Sequence, residues 1–324
     1  MRGTIVGVLR GGPSEEHEVS LRSGSTILAN LPTDRFTVRD IYIDRKGVWH
    51  EHGRPTTPEK VLRTIDVAVI ALHGHYGENG EIQRLLDMYG VAYTGGDPFA
   101  SFVSMHKVLT KEKAKEIGLK TPAYRFVDRK EDIDKVVTDA IRSFHQPVVV
   151  KPNAWGSSAG ISIVGGYAPV HAAVTGLFER GATGVLIEER ITGIEATAGV
   201  VEGLRGERLY ALPPVEIVPP QHAGFFSEEV KYNGQTREIV PGRFTPAVTK
   251  ELMESAQAIH EALRLRHYSR SDFIVSPKGI YFLETNSAPA VGMTSESLFP
   301  KSLAAVGVTL PHFLTHLVDM ARAK

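Results

Sequence analysis

Through the first hundred residues, short apolar runs of strand length alternate with stretches of helical spacing, and this alternation leaves few possible architectures. Residues 4–9 and 67–72 read as buried strands, while 19–31 and 81–88 carry apolar side chains at helical intervals. Strands that alternate with helices pack as a parallel sheet covered by those helices. Ligands of such open sheets gather at the carboxyl ends of the strands, where Gly11-Gly12-Pro13 and His73-Gly74-His75-Tyr76-Gly77 fall. Both loops are candidate walls of a site.

Beyond residue 100 the pattern changes. Helical spacing dominates 101–119, followed by a strand at 123–127, a helix at 130–144 and the β-branched run Val148-Val149-Val150. A loop over 151–160 separates that run from a strand at 161–164, which predicts a small α+β unit with a Gly/Ser tip. Strands follow at 185–188, 196–201 and 208–211, then a long helix over 247–263, a strand pair at 272–275 and 280–284, and a last helix over 310–321. Residues 222–242 lack a clear period and predict a long mobile loop.

At 324 residues the chain exceeds one small core and predicts two or three compact units. Its 42% hydrophobic and 23% charged residues predict that all of it folds. Lys and Arg total 37, as do Asp and Glu, so no global field favours nucleic acid or an anionic membrane, and a small-molecule substrate is expected. The absence of cysteine excludes thiolate catalysis and Cys-bound zinc, leaving carboxylate, hydroxyl and lysine chemistry. The amino terminus meets Pro13 and a cluster of acids soon after its apolar run, unlike a secretory signal, and a cytoplasmic location is expected.

Two stretches carry the clearest chemistry. Arg270-Ser271-Asp272-Phe273 and Glu284-Thr285-Asn286 lie on adjacent strands, so Asp272, Glu284 and Asn286 can aim oxygen ligands at one point, a set suited to a Mg–ATP site. The two acids serve equally well as partners for surface Arg and Lys. Lys151-Pro152 and Gly156-Ser157-Ser158-Ala159-Gly160 follow a buried strand, and their small residues let backbone N–H groups approach phosphates; alone, the stretch also reads as a plain turn. Lys231-Tyr232 could serve a lid or an ordinary solvated loop. Glu16, near a helix start, could hold an ammonium group or cap its helix. His73 and His75 read as a polar wall rather than a metal pair, since no third ligand accompanies them.

Read as an ordered set, these stretches resemble the D-alanine–D-alanine ligases of the ATP-grasp superfamily along essentially the whole chain. The resemblance rests on Gly11-Gly12-Pro13-Ser14-Glu15-Glu16-His17-Glu18-Val19-Ser20, Ala71-Leu72-His73-Gly74, Tyr93-Thr94-Gly95-Gly96, the Lys151 and Gly156 stretches, and Gly292-Met293-Thr294-Ser295-Glu296-Ser297-Leu298. It implies a three-domain ATP-grasp fold of mixed α/β and α+β class: a parallel α/β domain over 1–100, a small central α+β domain over 101–182 and an α+β catalytic domain over 183–324. It also implies that Lys107 and Lys151 hold phosphates, Glu188 and nearby backbone the adenine, Glu195 the ribose and Lys231 the terminal phosphate. Asp272, Glu284 and Asn286 would carry two magnesium ions, with manganese as the alternative. Glu16 and His73 would face the first D-alanine; Glu16, Ser157 and Tyr232 would form a hydrogen-bonded triad that ties the lid down. Ser297 and Leu298 would take the second substrate's carboxylate, and Arg270 and the Gly292 N–H the oxyanion. The implied product is D-alanyl-D-alanine for peptidoglycan precursors, and the implied assembly a homodimer.

Three departures bear on this expectation. Where the family usually has Met-Asp-Lys, this chain has Met105-His106-Lys107, and the hinge, often Glu-Lys, reads Glu188-Glu189. The usual Asn-Thr-x-Pro-Gly-Met-Thr becomes Asn286-Ser287-Ala288-Pro289-Ala290-Val291-Gly292-Met293-Thr294, with two extra residues between Pro289 and Gly292. A second substrate such as D-lactate or D-serine is therefore an alternative, as is a nucleotide-binding protein without turnover.

Overall fold

The computed structural model describes residues 3–220 and 236–323, and three sheets organise them. In the first, strands β1 (Thr4–Gly11), β2 (Phe36–Ile43), β3 (Trp49–Glu51), β4 (Arg54–Thr56), β5 (Val67–Ile70) and β6 (Ala92–Tyr93) lie in the order β4-β3-β2-β1-β5-β6. The centre is parallel, as the alternation predicts, but the β2-β3-β4 edge is antiparallel. Val6 and Val8 of β1 point to one face, packing with Ile27 of helix α1 (His17–Asn30). Ile5 and Leu9 point to the other, among residues of α2 (Pro58–Leu62) and, beyond α3 (His75–Glu78), of α4 (Glu81–Met88). β1 ends at Gly11, where φ is +91° and a Cβ would stand 2.2 Å from the Ile43 carbonyl oxygen, so the turn into the site wall requires glycine.

The helical stretch after residue 97 is two helices, α5 (Pro98–Met105) and α6 (Lys107–Glu116), because His106 adopts an extended conformation between them. The second sheet has the order β7-β10-β8-β9 and is antiparallel throughout, with β7 (Tyr124–Asp128), β8 (Val148–Pro152), β9 (Ser162–Val164) and β10 (Gly184–Glu189). Helices α7 (Ile133–Ser143) and α8 (Tyr167–Glu179) cover it through one apolar cluster. β8 runs through Pro152, so Lys151 belongs to the strand and the Gly/Ser loop starts later than its sequence suggests.

The third sheet has the order β14-β13-β11-β15-β16, formed by β11 (Ile194–Glu202), β13 (Val215–Val218), β14 (Arg237–Ile239), β15 (Tyr268–Ser276) and β16 (Gly279–Ser287), with β12 (Leu209–Ala211) paired to β11. Helix α9 (Pro246–Ala262) packs on it. α10 (Leu298–Ala305) and α11 (Leu310–Arg322) join this sheet to the first, since Phe299, Phe313 and Leu317 share a core with Val6, Val67 and Tyr268. Cap chemistry starts α5, α9 and α11: Asp97, Thr245 and Thr309 each accept a backbone N–H three residues on, with proline in the first turn. Of the loop expected over 222–242, residues 237–239 form β14, while 221–235, with Lys231 and Tyr232, lie outside the described residues. Among the described residues no single helix is long and apolar enough to cross a membrane.

Candidate active site

The centre of the site is the β15–β16 pair. Asp272 lies opposite Glu284 and Arg270 opposite Asn286, and because side chains alternate between faces, all four share one. Arg270 forks onto Asp272, with Nε 3.1 Å from Oδ1 and Nη2 3.0 Å from Oδ2. Thr197 Oγ1 donates to Asp272 Oδ1 at 2.6 Å and Asn286 Nδ2 donates to Oδ2 at 3.0 Å. Burial works against the Arg270 charge, but Asp272 outweighs it and the guanidinium pKa is raised. Glu284 pairs with Lys107 Nζ at 3.2 Å.

Lys107 and Lys151 approach from the other side of the cleft. Lys107 Nζ also donates to the Trp155 carbonyl at 2.7 Å, which ties α6 to the Gly/Ser loop. In that loop Ser157 and Ser158 have φ of +54° and +60°, a left-handed pair that turns the backbone sharply at the cleft. Lys151 Nζ lies 2.9 Å from Glu188 Oε2, and Glu188 Oε1 lies 3.1 Å from Lys111 Nζ. All three are buried. Burial raises the Glu188 pKa but the two lysines outweigh it, so it is lowered overall. The Glu188 carboxylate is thus engaged by two lysines.

The first sheet supplies the third wall. Glu16 occupies the N-cap position of α1, yet its side chain makes no capping bond. Instead a Cβ on Gly74 would stand 3.0 Å, and one on Gly156 3.3 Å, from Glu16 Oε2, so the two glycines make room for this carboxylate. His73 is buried with Nε2 2.9 Å from Ser23 Oγ, and burial, then Arg270, lowers its pKa to about 4, so the ring is neutral at pH 7. His75 instead meets Asn79 at 2.8 Å and is not part of the wall. Glu78 accepts the Gly74 N–H at 2.7 Å; burial and then the Glu16 charge raise its pKa.

At the far end, the two extra residues are absorbed by a 3-10 turn, Ala288–Ala290, after which Val291 is buried in the core and Ala290 forms part of the cleft wall. Gly292 then passes so close to Ser297 that a Cβ would lie 2.6 Å from its Oγ. Lys301, one turn into α10, bonds Glu238 of β14 at 2.8 Å.

These walls enclose one cavity of about 810 Å³. Glu16, His73, Lys151, Ser157, Glu188, Glu195, Arg270, Asp272, Glu284, Asn286, Gly292, Ser297 and Leu298 all line it. Lys107 reaches it through Glu284 and lines a small adjoining void of about 30 Å³. The sequence reading does not single out Glu78, Lys111, Glu238 or Lys301. Glu78 directly follows the 73–77 loop marked as a wall, which is its one sequence signal. Among the described residues no three His, Cys, Asp or Glu side chains form a metal cluster; the oxygen set here is two carboxylates and an amide.

An ATP-complexed D-alanine–D-alanine ligase from Bacillus anthracis superposes with a TM-score of 0.81 at 29% identity, covering 98% of this chain and 97% of that one. The D-Ala:D-Ser ligase VanG from Enterococcus faecalis gives 0.85 at 26% identity, over 99% and 100%. With three sheets walling one polar cleft, the chain has the three-domain ATP-grasp fold of these ligases. The family model described as D-ala D-ala ligase C-terminus matches residues 114–319, and that described as D-ala D-ala ligase N-terminus matches 5–62 and 50–96. A D-alanine–D-alanine ligase of Syntrophobacter fumaroxidans is 40% identical over 98% of this chain and 97% of its own length. The chain belongs to the D-alanine–D-alanine ligase family, a family of ATP-dependent ligases.

Proposed function

We propose that this chain joins two D-alanines at the expense of ATP, by way of D-alanyl phosphate, and so supplies D-alanyl-D-alanine for peptidoglycan precursors in the cytoplasm. The observation that carries the reading is that a single cavity holds the Arg270–Asp272–Glu284–Asn286 face, the Lys151 strand, Glu16 and the Gly292–Leu298 turn. In this reading 1–100, 101–182 and 183–324 are the three domains, and two copies pair as a homodimer.

Lys107, Lys151 and Lys231 hold the phosphates, the backbone beside Glu188 takes the adenine and Glu195 the ribose. The ammonium of the first D-alanine sits on Glu16, beside the neutral ring of His73. The carboxylate oxygen attacks the γ-phosphorus and ADP leaves, because an unactivated carboxylate resists an amine. The second amine then attacks the acyl carbon; the C–N bond forms, the C–O bond to phosphate breaks, and the amine's proton leaves with the departing phosphate. Arg270 and the Gly292 N–H donate to the transient oxyanion, while Ser297 and Leu298 hold the second carboxylate. Tyr232, with Glu16 and Ser157, closes the lid that keeps water from the acyl phosphate.

The hard oxygen donors of Asp272, Glu284 and Asn286 suit magnesium, and Arg270 and Lys107 now neutralise the two acids. Asp272, Glu284 and Asn286 would hold two magnesium ions, or manganese in their place, which would supply positive charge to the transferring phosphoryl group. Ala290 in the cleft wall favours a second reading, in which the second substrate is D-serine or D-lactate. The test is phosphate release from Mg–ATP with each substrate, with the product mass measured. D-Alanine-dependent release of a D-alanyl-D-alanine mass is expected; protein that binds ATP yet releases no phosphate with D-alanine, D-serine or D-lactate overturns the ligase reading.

A further inference from the structure

The inward stripe of α6 consists of Lys107, Thr110, Lys111 and Ala114, spaced as a helix spaces its core residues. Two of the four are lysines. Burying an ammonium group is strongly unfavourable unless it is well paired, so lysines at such positions need a reason. Lys107 has one in the cleft. Lys111 is fully buried, does not line the cleft, and meets Glu188 at 3.1 Å and Thr121 Oγ1 at 2.8 Å.

Building on the nucleotide reading of the cleft, we infer that Lys111 is a positioning residue for ATP: by sharing the Glu188 carboxylate, it leaves the Lys151 charge available to a phosphate. The geometry supplies the reason. Glu188 is sandwiched, with one oxygen toward each lysine, and of the two lysines only Lys151 reaches the cleft. The trio carries one net positive charge. Without Lys111 it carries none, and Lys151 becomes the one charged partner of a carboxylate that water cannot reach. Attraction in such a site is much stronger than in water, so Lys151 is held back on Glu188 and the phosphates lose a counter-charge. Burial lowers the Lys111 pKa to about 8 against the pull of Glu188, so the group is charged at neutral pH.

The experiment is calorimetric titration of the full chain with Mg–ADP and, separately, with adenosine, which lacks phosphate. The variants are Lys111→Met, Lys111→Gln, which keeps a polar partner for Thr121, and the double variant Lys111→Met/Glu188→Gln, which removes both charges. Each single variant should bind Mg–ADP about tenfold or more weakly, with adenosine affinity within about twofold of wild type. The double variant should recover most of the Mg–ADP affinity, because Lys151 is freed again; a merely structural role of Lys111 gives no such rescue. Mg–ADP binding unchanged in either single variant, or a double variant as weak as Lys111→Met, overturns the inference. Failure of the wild type to bind Mg–ADP would instead count against the nucleotide reading.

Discussion

Replacing His73 by Gln should flatten the acid limb of the stability profile while keeping kcat within about fivefold of wild type. Burial and the Arg270 charge lower the His73 pKa from 6.5 to about 4 in the folded chain. Between these values the unfolded chain binds a proton that the folded chain does not. Stability from the neutral ring is therefore complete above pH 6.5 and declines as pH falls toward 4. Integrated from pH 7 to pH 5, this one group removes about 2 kcal/mol. Gln does not titrate, and its amide can meet Ser23 Oγ, which now lies 2.9 Å from Nε2. Urea denaturation of both proteins at pH 7 and pH 5 is the assay. Other groups, including the oppositely shifted Glu78, are common to both and cancel in the difference. The variant should lose about 2 kcal/mol less than wild type between these pH values, with kcat at pH 8 within about fivefold. Equal losses would refute the claim that a neutral ring is buried here, and a kcat collapse at pH 8 would show that His73 exchanges protons during turnover.

Three further substitutions probe the site and its support. Glu284→Gln should lose most turnover with an unchanged circular dichroism spectrum, and near-wild-type rates at saturating magnesium would remove Glu284 from the metal face. Gly292→Ala places a Cβ 2.6 Å from Ser297 Oγ, so the KM for the second D-alanine should rise about tenfold while that for ATP stays put; the reverse pattern in initial-rate kinetics would misplace the acceptor pocket. Phe282 is fully buried against Phe273 under the site's strands, and Phe282→Ala should lower stability by about 3–5 kcal/mol in urea denaturation; a loss under about 1 kcal/mol would mean that this core collapses freely.

Much of the fold is legible from local pattern because many of its elements are buried in a simple way. Apolar runs such as Val67–Ile70 and capped helices such as Pro246–Ala262 announce themselves. β2 does not: Phe36–Ile43 interleaves Thr37, Arg39 and Asp40 with its apolar residues, since it borders the solvated edge of its sheet. The Arg270–Asn286 face is legible because two strands with a tight turn must place alternate residues together. Lys111 is not, since a lysine in a helix reads as a solvated face, and only the ion pair it makes across to β10 reveals the Glu188 carboxylate opposite it. Ala290 and Val291 are visible as two extra residues, but that one enters the cleft wall and the other the core depends on a 3-10 turn that spacing does not encode.

In the proposed reaction the first carboxylate is phosphorylated before the amide bond forms, so one of its oxygens leaves with the phosphate. Incubating the chain with Mg–ATP and D-alanine labelled with ¹⁸O in its carboxylate, then measuring the mass of the released phosphate, tests it directly. One labelled oxygen should appear in each phosphate, with one dipeptide formed per phosphate. Unlabelled phosphate, or ATP consumed without dipeptide, would contradict the claim.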